Sequence, residues 1–116
     1  MNIRRLYYRL RHHDYVRTIK HFVQRRIRGF DDSELWSLDH SLAKLILPRI
    51  KYFRNYAPGF PGCLSSEKEW EEILDKMIAA FEFAASEDYW TYETEPHEKF
   101  HEGLKLFEEY YSSLWW

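Results

Sequence analysis

Apolar residues recur along this chain at helical spacing. Within residues 2–28, Leu6 and Leu10 share a helical face, as do Tyr15, Ile19, Phe22 and Ile27. The run His12-His13-Asp14 is placed to divide this stretch into two helices, with Asp14 as an N-cap. Gly29 is placed to end it as a C′ residue. Asp31-Asp32-Ser33-Glu34 then supplies a cap and negative charge at the start of a second long helix. Its apolar face reads Leu35, Leu38, Leu42, Leu45, Ile46, Ile50 and Phe53. Pro48 falls inside that pattern. It removes one backbone hydrogen bond and clashes with the preceding turn, so a kink is predicted near residues 44–47.

The segment Ala57-Pro58-Gly59-Phe60-Pro61-Gly62 is a loop. Ser66 with Glu69 forms a capping-box pattern. Trp70, Ile73, Leu74, Met77, Ile78 and Phe81 follow as one broad stripe that must face a core. Residues 86–96 lack helical periodicity and leave room for short extended structure. The last helix is predicted to start after Pro96 at an N1-like position. Phe100, Leu104, Phe107 and Tyr111 line one side of it, with Leu114 nearby. Leu114-Trp115-Trp116 is too apolar for a frayed tail and is expected to dock on the body or on a partner. No segment alternates with period two. The predicted fold is all-α: a compact, single-domain bundle of four to five helices over residues 1–116, its second long helix kinked at Pro48.

Composition changes this picture in two places. A chain of 116 residues buries a core without disulfide or metal staples. Cys63, the single cysteine, has no internal partner, which suits a reducing cytosol. No apolar run approaches the roughly 20 residues of a membrane span, and residues 1–9 are too charged for a signal peptide. A cytoplasmic protein without membrane contact is expected. Aromatic residues are the first oddity, with five Trp, nine Tyr and eight Phe. Most are expected to fill the core with their polar atoms reaching the surface; the rest would form a stacking surface. Charge is the second. Residues 1–28 hold nine Arg and Lys against Asp14, whereas residues 65–116 hold fourteen acidic and four basic residues. The asymmetry points to a nucleic-acid contact by the basic end or to pairing of the two ends, within the chain or between the subunits of a homodimer.

Three groups of residues invite chemistry. His97-Glu98-Lys99-Phe100-His101 matches H-E-x-x-H, in which two His at i and i+4 share a Zn²⁺ and the Glu acts as a base. Its place directly after Pro96, the Leu at 104 where the longer motif needs Gly, and the lack of an obvious third ligand favour a solvated first turn over a zinc hydrolase. No metal or other cofactor is expected. The basic segment, Arg4, Arg5, Arg9, Arg11, Arg17, Lys20, Arg25, Arg26 and Arg28, is interleaved with Tyr7, Tyr8 and Tyr15. Arginine forks phosphate and tyrosine stacks on bases, so a nucleic-acid surface is the alternative to an ordinary solvated helix face. In the centre, Trp36, Asp39, His40, Arg49, Lys51, Tyr52 and Arg54 gather. Asp39 borders the core and needs a partner, for which Arg49 and His40 are the candidates. Cys63 has no His near it in sequence to activate it, and there is no phosphate-binding glycine loop, G-x-S-x-G or C-x-x-C.

The run Arg28-Gly29-Phe30-Asp31-Asp32-Ser33-Glu34-Leu35-Trp36-Ser37-Leu38-Asp39, together with Ile46-Leu47-Pro48-Arg49-Ile50-Lys51, Glu69-Trp70-Glu71-Glu72-Ile73-Leu74-Asp75-Lys76-Met77-Ile78 and Gly103-Leu104-Lys105-Leu106-Phe107, resembles a family of small bacteriophage proteins. The likeness covers roughly residues 28–82 and the last helix. It marks a family, not an activity. What it implies is a non-enzymatic accessory protein that binds a host component in the bacterial cytoplasm, either a host or defence protein or an anionic signalling nucleotide. Candidate binding residues are Arg5, Arg9, Trp36, His40, Arg49, Tyr52, Arg54, Trp115 and Trp116.

Overall fold

The structure, a computed structural model, describes residues 3–90 and 93–116, and the side chains at all of these positions except 5–14, 88 and 90. Every regular element among the described residues is helical: α1 (Ile3–Arg28), α2 (Ser33–Trp36), α3 (Leu38–Tyr56), α4 (Glu67–Ala85) and α5 (Thr94–Tyr110), with 3₁₀ turns at Glu87–Trp90 and Tyr111–Ser113. This is the all-α class that the periodicity predicts. Where the sequence reads as one domain, the chain divides into two compact units, Met1–Leu38 and Asp39–Trp116.

In the first unit α1 runs unbroken through His12-His13-Asp14, so Asp14 starts no new helix. Nothing between residues 3 and 28 is Gly or Pro, and a polar triplet alone does not stop a helix. Gly29 does stop it. Its φ is +87°, and its N–H donates to the Arg25 carbonyl at 3.0 Å. The next turn is capped by Asp31 rather than Asp32. The Asp31 carboxylate accepts from the Ser33 amide at 2.9 Å and from the Ser33 hydroxyl, while the Asp31 amide donates to Glu34 Oε2 at 2.7 Å. The pair resembles a capping box, with the Asp31 side chain bonding the amide two residues on instead of three. The predicted second helix then parts at Ser37, whose φ of −135° and ψ of 72° separate α2 from α3.

In the second unit α3 continues through Pro48. Proline leaves the carbonyl one turn back without its amide donor. The Arg49 guanidinium strengthens the same turn, donating to the Leu45 carbonyl at 2.6 Å. α4 starts as expected: Ser66 Oγ accepts from the Glu69 amide at 3.2 Å. The Glu69 carboxylate reaches one residue further back than the usual box, accepting from the Ser65 amide at 3.1 Å and the Ser65 hydroxyl at 2.7 Å. The hydroxyl bond holds the Glu69 carboxyl below its ordinary value. Residues 87–90, in the stretch where the missing periodicity left room for extended structure, form a 3₁₀ turn. α5 begins at Thr94, so Pro96 stands third in the helix and not at N1. The first-turn amides have no helical partner anyway, and proline costs nothing there.

The core belongs to α4. Trp70, Leu74, Met77, Ala80, Phe81 and Ala84 are buried, Leu74 and Met77 completely. Ala43 and Ile50 of α3 join them, with half-buried Phe100, Leu104, Phe107 and Leu114 packed around. α4 and α5 make the closest backbone approach in the unit, because Gly103 of α5 is buried against α4. A Cβ at 103 would overlap Ala80 Cβ and lie 2.7 Å from the Lys76 carbonyl oxygen.

Gly103→Ala therefore sets two effects against each other. Helix propensity favours Ala by about 1 kcal/mol. Overpacking against a backbone carbonyl, which cannot rotate away, costs about 1–3 kcal/mol. The expected outcome is a net loss of stability, read as a lower denaturant midpoint; a rise would show that α4 and α5 separate freely. Leu74→Ala is expected to cost about 2–5 kcal/mol by the same measurement.

Candidate functional site

α3 carries two apolar stripes. One, Ala43, Ile46, Leu47, Ile50 and Phe53, is buried or half-buried in the core. The other is Leu42, Leu45, Arg49, Tyr52 and Tyr56, and every one of these is exposed. The sequence reading placed Leu42 and Leu45 on the core face with Ile46 and Ile50. The structure corrects this: a helix has room for only one inward stripe against two neighbours, and Ala43 and Ile50 occupy it. The steps along the outer stripe alternate between three and four residues, the spacing of a heptad seam.

Trp116 lies beside this stripe. Its ring stacks on Phe53, with centroids 6.4 Å apart and planes at 14°, and stands 6.1 Å from Tyr52. Tyr52 in turn packs on Tyr56 at 4.5 Å. Phe53 meets the buried Trp70 edge-on at 6.5 Å, and Trp70 meets Tyr110 at 5.6 Å. The exposed rings thus rest on a ladder of rings that reaches the core. Trp116 still exposes 64% of its surface and Trp115 75%.

Three hollows surround these rings. Pro48, Arg49, Tyr52, Phe53 and Trp116 line one of 610 Å³. Ile46, Arg49, Ile50, Phe53, Phe107 and Leu114 line a second of 250 Å³. A third, of 490 Å³, lies beyond Trp116 against loop residues 58–63 and Trp115. Arg49 borders the first two. Among the described residues no carboxylate pairs with it; its recorded partner is the Leu45 carbonyl. Of the residues expected to bind, the structure brings Arg49, Tyr52 and Trp116 together, with Trp115 in the adjoining hollow. It adds Leu42, Leu45, Pro48, Phe53 and Tyr56. The three-four spacing on α3 was the signal that could have found most of them.

The other candidates stand apart. Arg54 is turned onto α4, with Nε 3.0 Å from Asp75 and Nη2 3.6 Å from Glu71, and the Asp75 bond raises its pKa. His40 Nδ1 lies 3.2 Å from the Ala84 carbonyl, closing the end of α4. Asp39 finds neither Arg49 nor the His40 ring. It accepts from the His40 amide at 2.9 Å and pairs with the Tyr89 hydroxyl. Burial, and then that bond, push the Tyr89 pKa up. Trp36 belongs to the first unit, where the Arg17 guanidinium lies 4.7 Å over its ring and His21 stands edge-on at 6.4 Å. The side chains of Arg5 and Arg9 lie outside the described residues.

His97 of the H-E-x-x-H run packs edge-on against Phe83 at 5.3 Å, while His101 is exposed beside Phe100. Among the described residues no three His, Cys, Asp or Glu side chains converge to hold a metal. The described part of the basic segment from Arg17 to Arg28 is engaged locally, which the sequence reading missed. Arg25 pairs with Asp31 at 2.6 Å, and Arg28 and Lys20 pair with Asp32 at 2.5 Å and 3.4 Å. Arg26 and Arg28 also lie over the rings of Phe22 and Phe30.

The chain matches no protein-family model, no curated protein and no solved structure. No described helix is long and apolar enough to cross a membrane. The surface geometry itself has to carry the functional reading.

The carboxylates of the first unit respond to acid. Asp31 is 4% exposed. Its bond from the Ser33 hydroxyl, and then that from Arg25, outweigh burial and hold its carboxyl down to about 2 from 3.8. Asp32 is held lower still, first by Gln24 and then by Arg28. A depressed carboxyl stabilises the fold above its unfolded value and ceases to do so as pH falls through the folded value. The turn at residues 29–34 is therefore expected to loosen between about pH 4 and pH 2. A carboxyl ¹³C titration by NMR should place the Asp31 midpoint near 2; a midpoint near 4 would mean that the cap is not formed.

Proposed function

We propose that this chain is a non-enzymatic binding protein that acts by covering the surface of another protein. The contact face is the outer stripe of α3 together with Trp116. The observation that supports this is the row of exposed Leu42, Leu45, Tyr52 and Tyr56 beside the exposed Trp116. Monomeric proteins seldom expose large apolar side chains contiguously unless something docks on them. Tyr, Trp and Arg are the residues that dominate binding energy at protein interfaces, and they are the types gathered here. The likeness to small bacteriophage proteins fits an accessory role, with a host protein in the bacterial cytoplasm as the partner.

A nucleotide is the weaker reading of the same face. Its phosphates call for several converging donors, and the hollow beside Trp116 has one arginine at its rim. An elongated apolar stripe suits a macromolecule better.

The test is recovery of the tagged full-length chain from bacterial cells, followed by mass spectrometry. A host protein at near-equal amount is expected. Tyr52→Ala with Trp116→Ala should reduce its recovery at least about 30-fold, as loss of about 2 kcal/mol at a central contact implies, with the circular dichroism spectrum unchanged. Equal recovery by the variant would rule this face out. A small anion released by heating, with no protein partner, would favour the nucleotide reading instead.

A further inference from the structure

Resting on the binding reading above, we infer that the occupant of the α3 face is an amphipathic α-helix of a partner protein that presents a carboxylate opposite Arg49. Spacing carries the first half of this. Leu42, Leu45, Arg49, Tyr52 and Tyr56 alternate in steps of three and four over two heptads. At about 1.5 Å per residue this is a straight seam of roughly 22 Å. A helix laid along α3 meets the seam in register at every turn, which an extended segment with its period of two does not. Arg49 lines both the 610 and the 250 Å³ hollows, so side chains of such a helix find recesses beside the guanidinium.

Charge carries the second half. Arg49 occupies a seam position and, among the described residues, has no carboxylate beside it. Covering the seam desolvates this cation, which is unfavourable unless the partner supplies an anion. A second copy of this chain does not. Residues 42–56 include no Asp or Glu, so α3 paired with α3 offers Arg49 no carboxylate in either sense, and the parallel pairing sets Arg49 against Arg49. Like charges at a seam position select against that pairing. The α1 helix of a second copy has nine basic residues and one acidic residue, and is no better. The α4 and α5 helices are acidic, but their apolar stripes are already packed in their own core, so the partner helix is foreign and acidic at its centre. Arg49 acts as the specificity element and the apolar stripe as the general docking surface.

The experiment uses the full chain and two synthetic amphipathic helical peptides of about three heptads. Both carry Leu at the a and d positions; at the central a position one has Glu and the other Lys. Calorimetric titration should show the Glu peptide binding at least tenfold more tightly than the Lys peptide. Arg49→Glu should invert the order and Arg49→Met should erase it. Leu45→Asp, at an exposed site, should abolish binding of both while leaving the circular dichroism spectrum intact. Equal affinities for the two peptides, or a preference unchanged by Arg49→Glu, would overturn the inference. So would binding that survives Leu45→Asp, or no binding of either peptide. A dimer of the chain alone that Leu45→Asp dissociates would also overturn it, naming a second copy as the occupant. The host-protein recovery with Tyr52→Ala and Trp116→Ala judges the binding face independently of all these outcomes.

Discussion

The close approach of α4 and α5 at Gly103 governs the second unit. With no Cβ at 103, the α5 backbone comes down on Ala80 and the Lys76 carbonyl, and the two helices share a narrow interface. α3 has no such contact. It meets the pair through large side chains, among them Phe53 against Trp70, and so packs at a wider spacing. A three-helix arrangement with one tight pair and one wide neighbour leaves the outer half of α3 uncovered.

That wide spacing is filled with rings. Trp116 on Phe53, Phe53 on Trp70 and Trp70 on Tyr110 form one continuous ladder. Each such pair contributes about 0.5–1.5 kcal/mol beyond the area it buries. The exposed Trp116 rests on the half-buried Phe53, whose other neighbour is the buried Trp70. On the binding reading proposed above, an aromatic residue already held in place would lose little entropy on binding.

Among the described side chains of the first unit, charge pairs organise the structure more than apolar packing does. Tyr15, Val16, Ile19, Phe22, Val23 and Ile27 are exposed along α1, including the four, Tyr15, Ile19, Phe22 and Ile27, that share a helical face. Its order at the C-terminal end comes from Gly29 and from Asp31 and Asp32, which collect Lys20, Arg25 and Arg28. The excess of positive charge that suggested a nucleic-acid surface is partly neutralised by carboxylates only a few residues downstream. In the same way, His97 and His101 keep the spacing of a zinc motif, while the ring of His97 is packed on Phe83. Spacing along a helix sets direction, and a metal site needs further ligands brought in from elsewhere.

The sequence by itself determined what depends on neighbours within a turn or two. The Gly29 stop, the Ser66 cap, the loop at residues 57–62 and the α4 stripe were all legible, because caps and amphipathic periodicity act over three or four residues. The continuity of α1 through Asp14, the break at Ser37 and the start of α5 at Thr94 were misread. They lie where competing local signals differ by less than the packing that decides between them. Arg49, Tyr52 and Trp116 could be named as candidates from residue type alone, but not their convergence. Leu42 and Leu45 are indistinguishable by composition and spacing from Ile46 and Ile50. Which pair is buried is decided by the direction from which α4 and α5 approach α3, through contacts between residues far apart in the chain, such as Phe53 and Trp70, that no local pattern encodes.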